Sequence, residues 1–179
     1  RSLVSKEIDL RATKVFVINL QSDVDRRKRA LETLYRFGFA DVTIFPAIRD
    51  PDPIKGCALS HAAILKDMLS STLPFIVLED DVEVHKFRPI VTVPDDTDAV
   101  YLGNSDYGLS SGVGKKRICV EREDEDLFRC YNMLGAHAIL YLGREYVNQL
   151  FRASQFAIDH GEGVDKVMAE IMKYWKIRA

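Results

Sequence analysis

The spacing of apolar positions switches between two periods along the chain. Residues 14–20, Lys-Val-Phe-Val-Ile-Asn-Leu, form a β-branched run that predicts a strand covered on both faces and central in its sheet. Helical spacing follows, with Leu31, Leu34 and Tyr35 on one face. Ser22 and Asp25, three residues apart, have the form of a capping box, and Gly38 supplies the stop. The pattern then predicts a strand at 42–47, a largely apolar helix at 56–70 and a strand at 75–78. Further strands are expected at 98–102 and 136–142, with a weaker one at 117–122, and helices at 145–153 and 164–175.

Strands alternating with helices imply right-handed crossovers and a mostly parallel sheet, hence an α/β fold built as a three-layer α/β/α sandwich. The segments 50–53 and 103–114 read as loops, and no linker or repeat divides the chain, so 1–179 is expected to be one domain. In such sheets ligands gather beyond the carboxyl ends of the strands, so residues just after strands carry the functional weight.

Composition narrows the partners. The chain has 179 residues, 47% of them apolar, with 25 basic and 27 acidic side chains and a net charge of −2. Such a chain is not disordered, collagenous or coiled coil, and its near-neutral charge gives no reason to expect nucleic acid. No stretch approaches the ~18–20 apolar residues of a membrane span, so no transmembrane segment is expected. Cys57, Cys119 and Cys130 form no CxxC pair and read as free thiols. This predicts a reducing, cytoplasmic setting, compatible with a peripheral membrane association.

Candidate chemistry concentrates at three strand or helix ends. Phe75-Ile76-Val77-Leu78 runs straight into Glu79-Asp80-Asp81, and three adjacent carboxylates repel unless a cation sits among them. Glu79 and Asp81, two apart in an extended segment, would face one side and could share a hydrated Mg²⁺ or Mn²⁺. Gly56-Cys57-Ala58-Leu59-Ser60-His61 opens the helix before that strand. Its first-turn N–H groups, with Lys55 just outside, suggest an anion site, and Ser60 and His61 could donate to a ligand. Asn19 and the run Asp25-Arg26-Arg27-Lys28-Arg29 follow the first strand, and guanidinium forks suit diphosphate oxygens. Gly112-Val113-Gly114-Lys115-Lys116 lacks the remaining positions of a P-loop, and 103–116 reads as a loop that could close over substrate.

Taken in order, Val15-Phe16-Val17-Ile18-Asn19-Leu20 with Asp25-Arg26-Arg27, Gly56-Cys57-Ala58-Leu59-Ser60-His61, Phe75 to Val82, Gly135-Ala136-His137-Ala138-Ile139-Leu140 and Gly163-Val164-Asp165 resemble glycosyltransferase family 25. That family holds lipooligosaccharide and collagen galactosyltransferases. The resemblance implies a GT-A-like fold, a UDP-sugar donor, usually UDP-galactose, and inverting transfer to a glycan, lipooligosaccharide or protein hydroxyl with Mn²⁺ or Mg²⁺. On this likeness Glu79-Asp80-Asp81 stands as a DxD-like motif. Asp81 is the main metal ligand, and Glu79 or Asp80 holds the ribose or a metal-bound water. Asn19 with Arg26 or Arg27 addresses the nucleotide, and Ser60 and His61 line the donor pocket. Asp165 or, second, Asp106 takes the proton of the acceptor hydroxyl. GT-A enzymes commonly continue past such a helix into a segment whose His or Asp completes the metal site, so either that piece lies outside 1–179 or the metal is held by fewer protein ligands. Two other readings stay open: a catalytically silent domain that binds glycans or a partner, and a phosphohydrolase using the acidic tip.

Overall fold

In the computed structural model, residues 4–109 and 116–179 are described. The expected glycine-lysine run at 112–116 falls mostly outside them. The elements in chain order are β1 (Ser5–Asp9), β2 (Lys14–Asn19), α1 (Val24–Arg36), β3 (Val42–Pro46), α2 (Pro53–Met68), β4 (Phe75–Glu79), β5 (Ile90–Pro94), β6 (Ala99–Tyr101), β7 (Tyr107–Gly108), β8 (Lys116–Arg117), β9 (Val120–Arg122), β10 (Phe128–Cys130), β11 (Ala138–Tyr141), α3 (Arg144–His160), α4 (Val164–Ile171) and β12 (Ile177–Arg178).

Eight strands form the main sheet in the order β3-β2-β4-β11-β6-β12-β10-β9. β2 pairs in parallel with β3 and β4, and β12 in parallel with β6, while β11 and β10 are antiparallel to their neighbours. Six of the eight strands therefore point one way, and β11 runs backward through the middle. β1 with β5, and β7 with β8, form two small ribbons.

Period-two alternation builds both layers of core at once. Phe75, Val77, Ile139 and Tyr141 join α2, α3 and α4 on one face. Ile76, Leu78, Ala138 and Leu140 join α1, β1 and β5 on the other. The result is a three-layer α/β sandwich, and the run expected to be covered on both sides is so covered: Val15 and Val17 lie under α1, Ile18 against α2.

Four boundaries differ from expectation. α1 is capped by Asp23, whose carboxylate accepts from Arg26 N, rather than by Ser22, whose hydroxyl accepts from Arg49 instead. Tyr35 of the predicted buried stripe is exposed, and Ala30 with Leu34 carries the packing. α2 begins three residues early because Asp52 caps it and Pro53 supplies a ready-made first turn. The segment 117–122 splits between β8 and β9, and the last helix gives way after Ile171 to a 3-10 turn, Met172–Tyr174.

Candidate functional site

The carboxyl ends of β2 and β4 lie side by side, with Ile18 in register with Glu79. Asn19, last in β2, is buried and donates through Nδ2 to Asp80 Oδ2 at 2.6 Å and to the Asp23 carbonyl at 3.1 Å. Its Oδ1 is buried without a hydrogen-bond partner. Arg26, in the first turn of α1, reaches the same place, with Nε 3.3 Å from Asp80 Oδ1 and a terminal nitrogen 3.1 Å from Asp81 Oδ2. Asp80 is nearly enclosed, whereas Asp81 is more than half exposed. One strand end, one helix start and one acidic turn thus meet across 61 residues of sequence.

The strand stops at Glu79 and the chain turns, with Val82 N donating to the Glu79 carbonyl. The extended geometry that would point Glu79 and Asp81 the same way is therefore not present. Asp80 and Asp81 turn toward Arg26, and Glu79 turns toward α2. There its Oε1 lies 3.5 Å from His61 Nε2 and 4.0 Å from Cys57 Sγ. His61 holds the Glu79 carboxyl below its ordinary value, against the opposing effect of burial, and His137 and Arg26 add to the lowering. Burial pushes the Cys57 thiol up to about 12, and the charges of Glu79 and Asp165 push in the same direction.

Other expected residues are placed as follows. Ser60 is buried, donates to the Gly56 carbonyl at 2.8 Å and accepts from Ile48 N at 2.8 Å, so its hydroxyl ties the loop after β3 to α2. Gly56 earns its place by close approach: a Cβ there would lie 2.8 Å from the Ile48 carbonyl. Its N–H already donates to Asp52 O, and Lys55 sits 3.8 Å from Asp50, so the expected anion cradle at Gly56 is occupied by the helix's own bonds. Arg27 makes no described side-chain ion pair, unlike Arg26. Asp165 lies in the first turn of α4, accepts from Lys166 N and is close enough for its charge to act on Cys57. Asp106 is exposed in the turn before β7.

His137 is a member of this region to which the residue pattern assigned no role. Its carbonyl accepts from Glu79 N at 2.9 Å, and its ring occupies space that only glycines leave open. A Cβ on Gly103 would lie 2.6 Å from Nε2, and one on Gly135, which has φ +108°, would lie 3.1 Å from Nδ1. The paired glycines are the signal in the sequence, but they are 32 residues apart and meet only because β6 and β11 are neighbours. A cavity of 710 Å³ lies on the α1 face beneath 82–88, lined by Leu34, Phe39, Leu78 and Phe87; none of Asn19, Arg26 or Asp80 enters its wall.

No family model matches the chain. It is similar to procollagen galactosyltransferase 2 of Mus musculus, 28% identical over 153 residues, and to the Homo sapiens protein of that name, 27% identical over 153 residues. In each case 69% of this chain is covered, and the matched part is 24% of the relative, so the chain spans about a quarter of the length of the curated relatives it matches. The likeness is that of a distant, galactosyltransferase-like relationship. Among the described residues, no helix is long and apolar enough to cross a membrane.

Proposed function

We propose that this chain is the nucleotide-sugar domain of a metal-dependent, inverting glycosyltransferase of GT-A type. It moves a hexose, galactose by its likeness to the relatives, from a UDP donor to a hydroxyl of a glycan, lipooligosaccharide or protein. The observation that carries the reading is the junction of Asn19, Arg26, Asp80 and Asp81 at the carboxyl rim of β2 and β4. Asp80 is fixed by Asn19, and Asp81 keeps an accessible carboxylate. Together they fit a hard divalent ion such as Mn²⁺ or Mg²⁺, which takes one or two protein carboxylates and completes its shell with water and phosphate oxygens. That ion would neutralise negative charge growing on departing UDP.

The remaining roles belong to the chain. Arg26 exchanges its carboxylate partners for diphosphate oxygens when the donor enters, which a planar fork suits. Asn19 Oδ1, buried and without a partner, accepts from the nucleotide once Arg26 has swung away from Asp80. Glu79, kept anionic by His61, faces the ribose or a water of the ion through its second oxygen. Asp165, on the α2 side of Glu79, accepts the proton of the acceptor hydroxyl as its oxygen bonds to the anomeric carbon and the bond to UDP breaks on the opposite face. Asp106 is the second candidate for that proton.

A thermal-shift panel of UDP, GDP, CMP and TDP sugars, with and without Mn²⁺, tests this. Ligand at a hundredfold excess over its Kd stabilises by about 2.7 kcal/mol, so a UDP sugar with Mn²⁺ should raise the melting midpoint and the others should not. Asp81→Ala, at a largely exposed position, should melt within about 0.5 kcal/mol of the parent yet lose both the shift and sugar transfer. Equal shifts by all nucleotides, or unchanged transfer by Asp81→Ala, overturn the reading. Metal-dependent UDP binding with no turnover on any acceptor identifies the silent binding module instead.

A further inference from the structure

Cys57 and His61 stand one helical turn apart on α2, and both aim at the carboxylate of Glu79 at the end of β4. A sulfur, an imidazole nitrogen and a carboxylate oxygen lie within 4.8 Å of one another there. His61 is only 1% exposed, yet neither ring nitrogen has a hydrogen-bond partner; its 3.5 Å approach to Glu79 is an ion-pair contact without hydrogen-bond alignment. Buried imidazole nitrogens are ordinarily satisfied, so an unpartnered ring aimed at a thiol and a carboxylate points to an absent ligand.

We propose that Cys57, His61 and Glu79 form a site for a borderline-soft divalent cation of the zinc class, separate from the hard-ion site at Asp80 and Asp81. Donor chemistry sets the class: thiolate and imidazole select zinc over magnesium or manganese, which prefer oxygen. Geometry agrees. Tetrahedral zinc bonds place a nitrogen and an oxygen ligand about 3.4 Å apart and a sulfur and an oxygen about 3.6 Å apart. The observed 3.5 and 4.0 Å to Glu79 are within a few tenths of an ångström of these, and the sulfur and imidazole nitrogen, within 4.8 Å of each other, close to about 3.6 Å by rotation of the Cys57 side chain. Three protein ligands leave the fourth position open, and the partly exposed Glu79 provides the entry path. On binding, Cys57 gives its thiol proton to solvent and ligates as thiolate. None of this depends on sugar transfer.

The test uses the metal-stripped full chain and Co²⁺ as a coloured probe, displaced by Zn²⁺. One equivalent of Co²⁺ should give a thiolate-to-cobalt charge-transfer band with the intense d–d bands of a tetrahedral site, bleached by Zn²⁺, and Zn²⁺ should raise the melting midpoint. Cys57→Ser should remove the charge-transfer band. Glu79→Gln, at a partly exposed position that should tolerate the change, should keep the band and weaken Zn²⁺ at least about tenfold. Absence of the band in the folded parent chain, its persistence in Cys57→Ser, or Zn²⁺ affinity unchanged in Glu79→Gln would overturn the proposal.

Discussion

Arg26 and Arg178 each bridge two carboxylates, one at the rim of β2 and β4 and one at the far side of the sheet. Arg178, in β12, is 2% exposed, with Nε 2.6 Å from Glu123 and Nη1 3.1 Å from Asp96 and 2.8 Å from Thr97. It stands in register with Arg129, itself buried, which donates to the Trp175 carbonyl. Arg26 is over a third exposed and meets Asp80 and Asp81, with Asp23 at 4.0 Å and Glu79 next in sequence. There one guanidinium serves a surplus of negative charge. At the far side two carboxylates and a hydroxyl converge on the buried Arg178 and tie β12 to its neighbours, whereas at the rim the carboxylates outnumber the one guanidinium that meets them.

The contrast can be broken most forcefully at Arg178. Arg178→Met removes the buried cation that Glu123 and Asp96 share and should cost about 2 kcal/mol, read from the urea midpoint, since both carboxylates left behind are partly exposed. A loss under about 1 kcal/mol would make the cluster no more than a surface pair. Arg26→Gln should change stability by about 1 kcal/mol, because Arg26 and Asp81 are partly solvated and the nearly enclosed Asp80 keeps its bond from Asn19. By calorimetric titration it should raise Mn²⁺ affinity and lower UDP affinity, each by about tenfold, as a competing cation is removed and a phosphate partner lost. Parallel weakening of both ligands would refute the exchange of partners assigned to Arg26.

The smallest effect concerns acid. The folded Glu79 carboxyl titrates below its ordinary value of 4.5, so its contribution to stability is complete above that value and disappears as pH falls through the folded one. Urea stability should therefore fall less between about pH 5 and pH 3 in Glu79→Gln than in the parent. An unchanged slope would show that His61 does not hold Glu79 in its charged form.

The strands that organise the rim were readable because each is a continuous apolar run, Val15 to Ile18 and Phe75 to Leu78, that only a sheet covered on both faces accommodates. The acidic tip after β4 is legible in the same way, but its turn is not, and the pattern offers Gly56 to an anion where the fold gives it the Ile48 carbonyl. What escaped depends on tertiary pairing. β10 and β12 are two or three residues long and carry the buried Arg129 and Arg178, whose charge masks any strand signal until Glu123 and Asp96 arrive. Choosing Arg26 over Arg27 required the angle at which Asp23 starts α1. The divergence of Glu79 from Asp81 required knowing that the strand ends between them, a difference of one residue in a boundary.

The backward course of β11 reaches beyond pairing. Since its beginning lies beside the ends of β4 and β6, the stretch leading into it, with Gly135 and His137, furnishes the same edge that the forward strands furnish with their exits. A change in length just upstream of Ala138 would disturb no crossover helix. The stretch before β11 can thus vary in length while the ends of β2 and β4, with Asn19 and Asp80, keep their register.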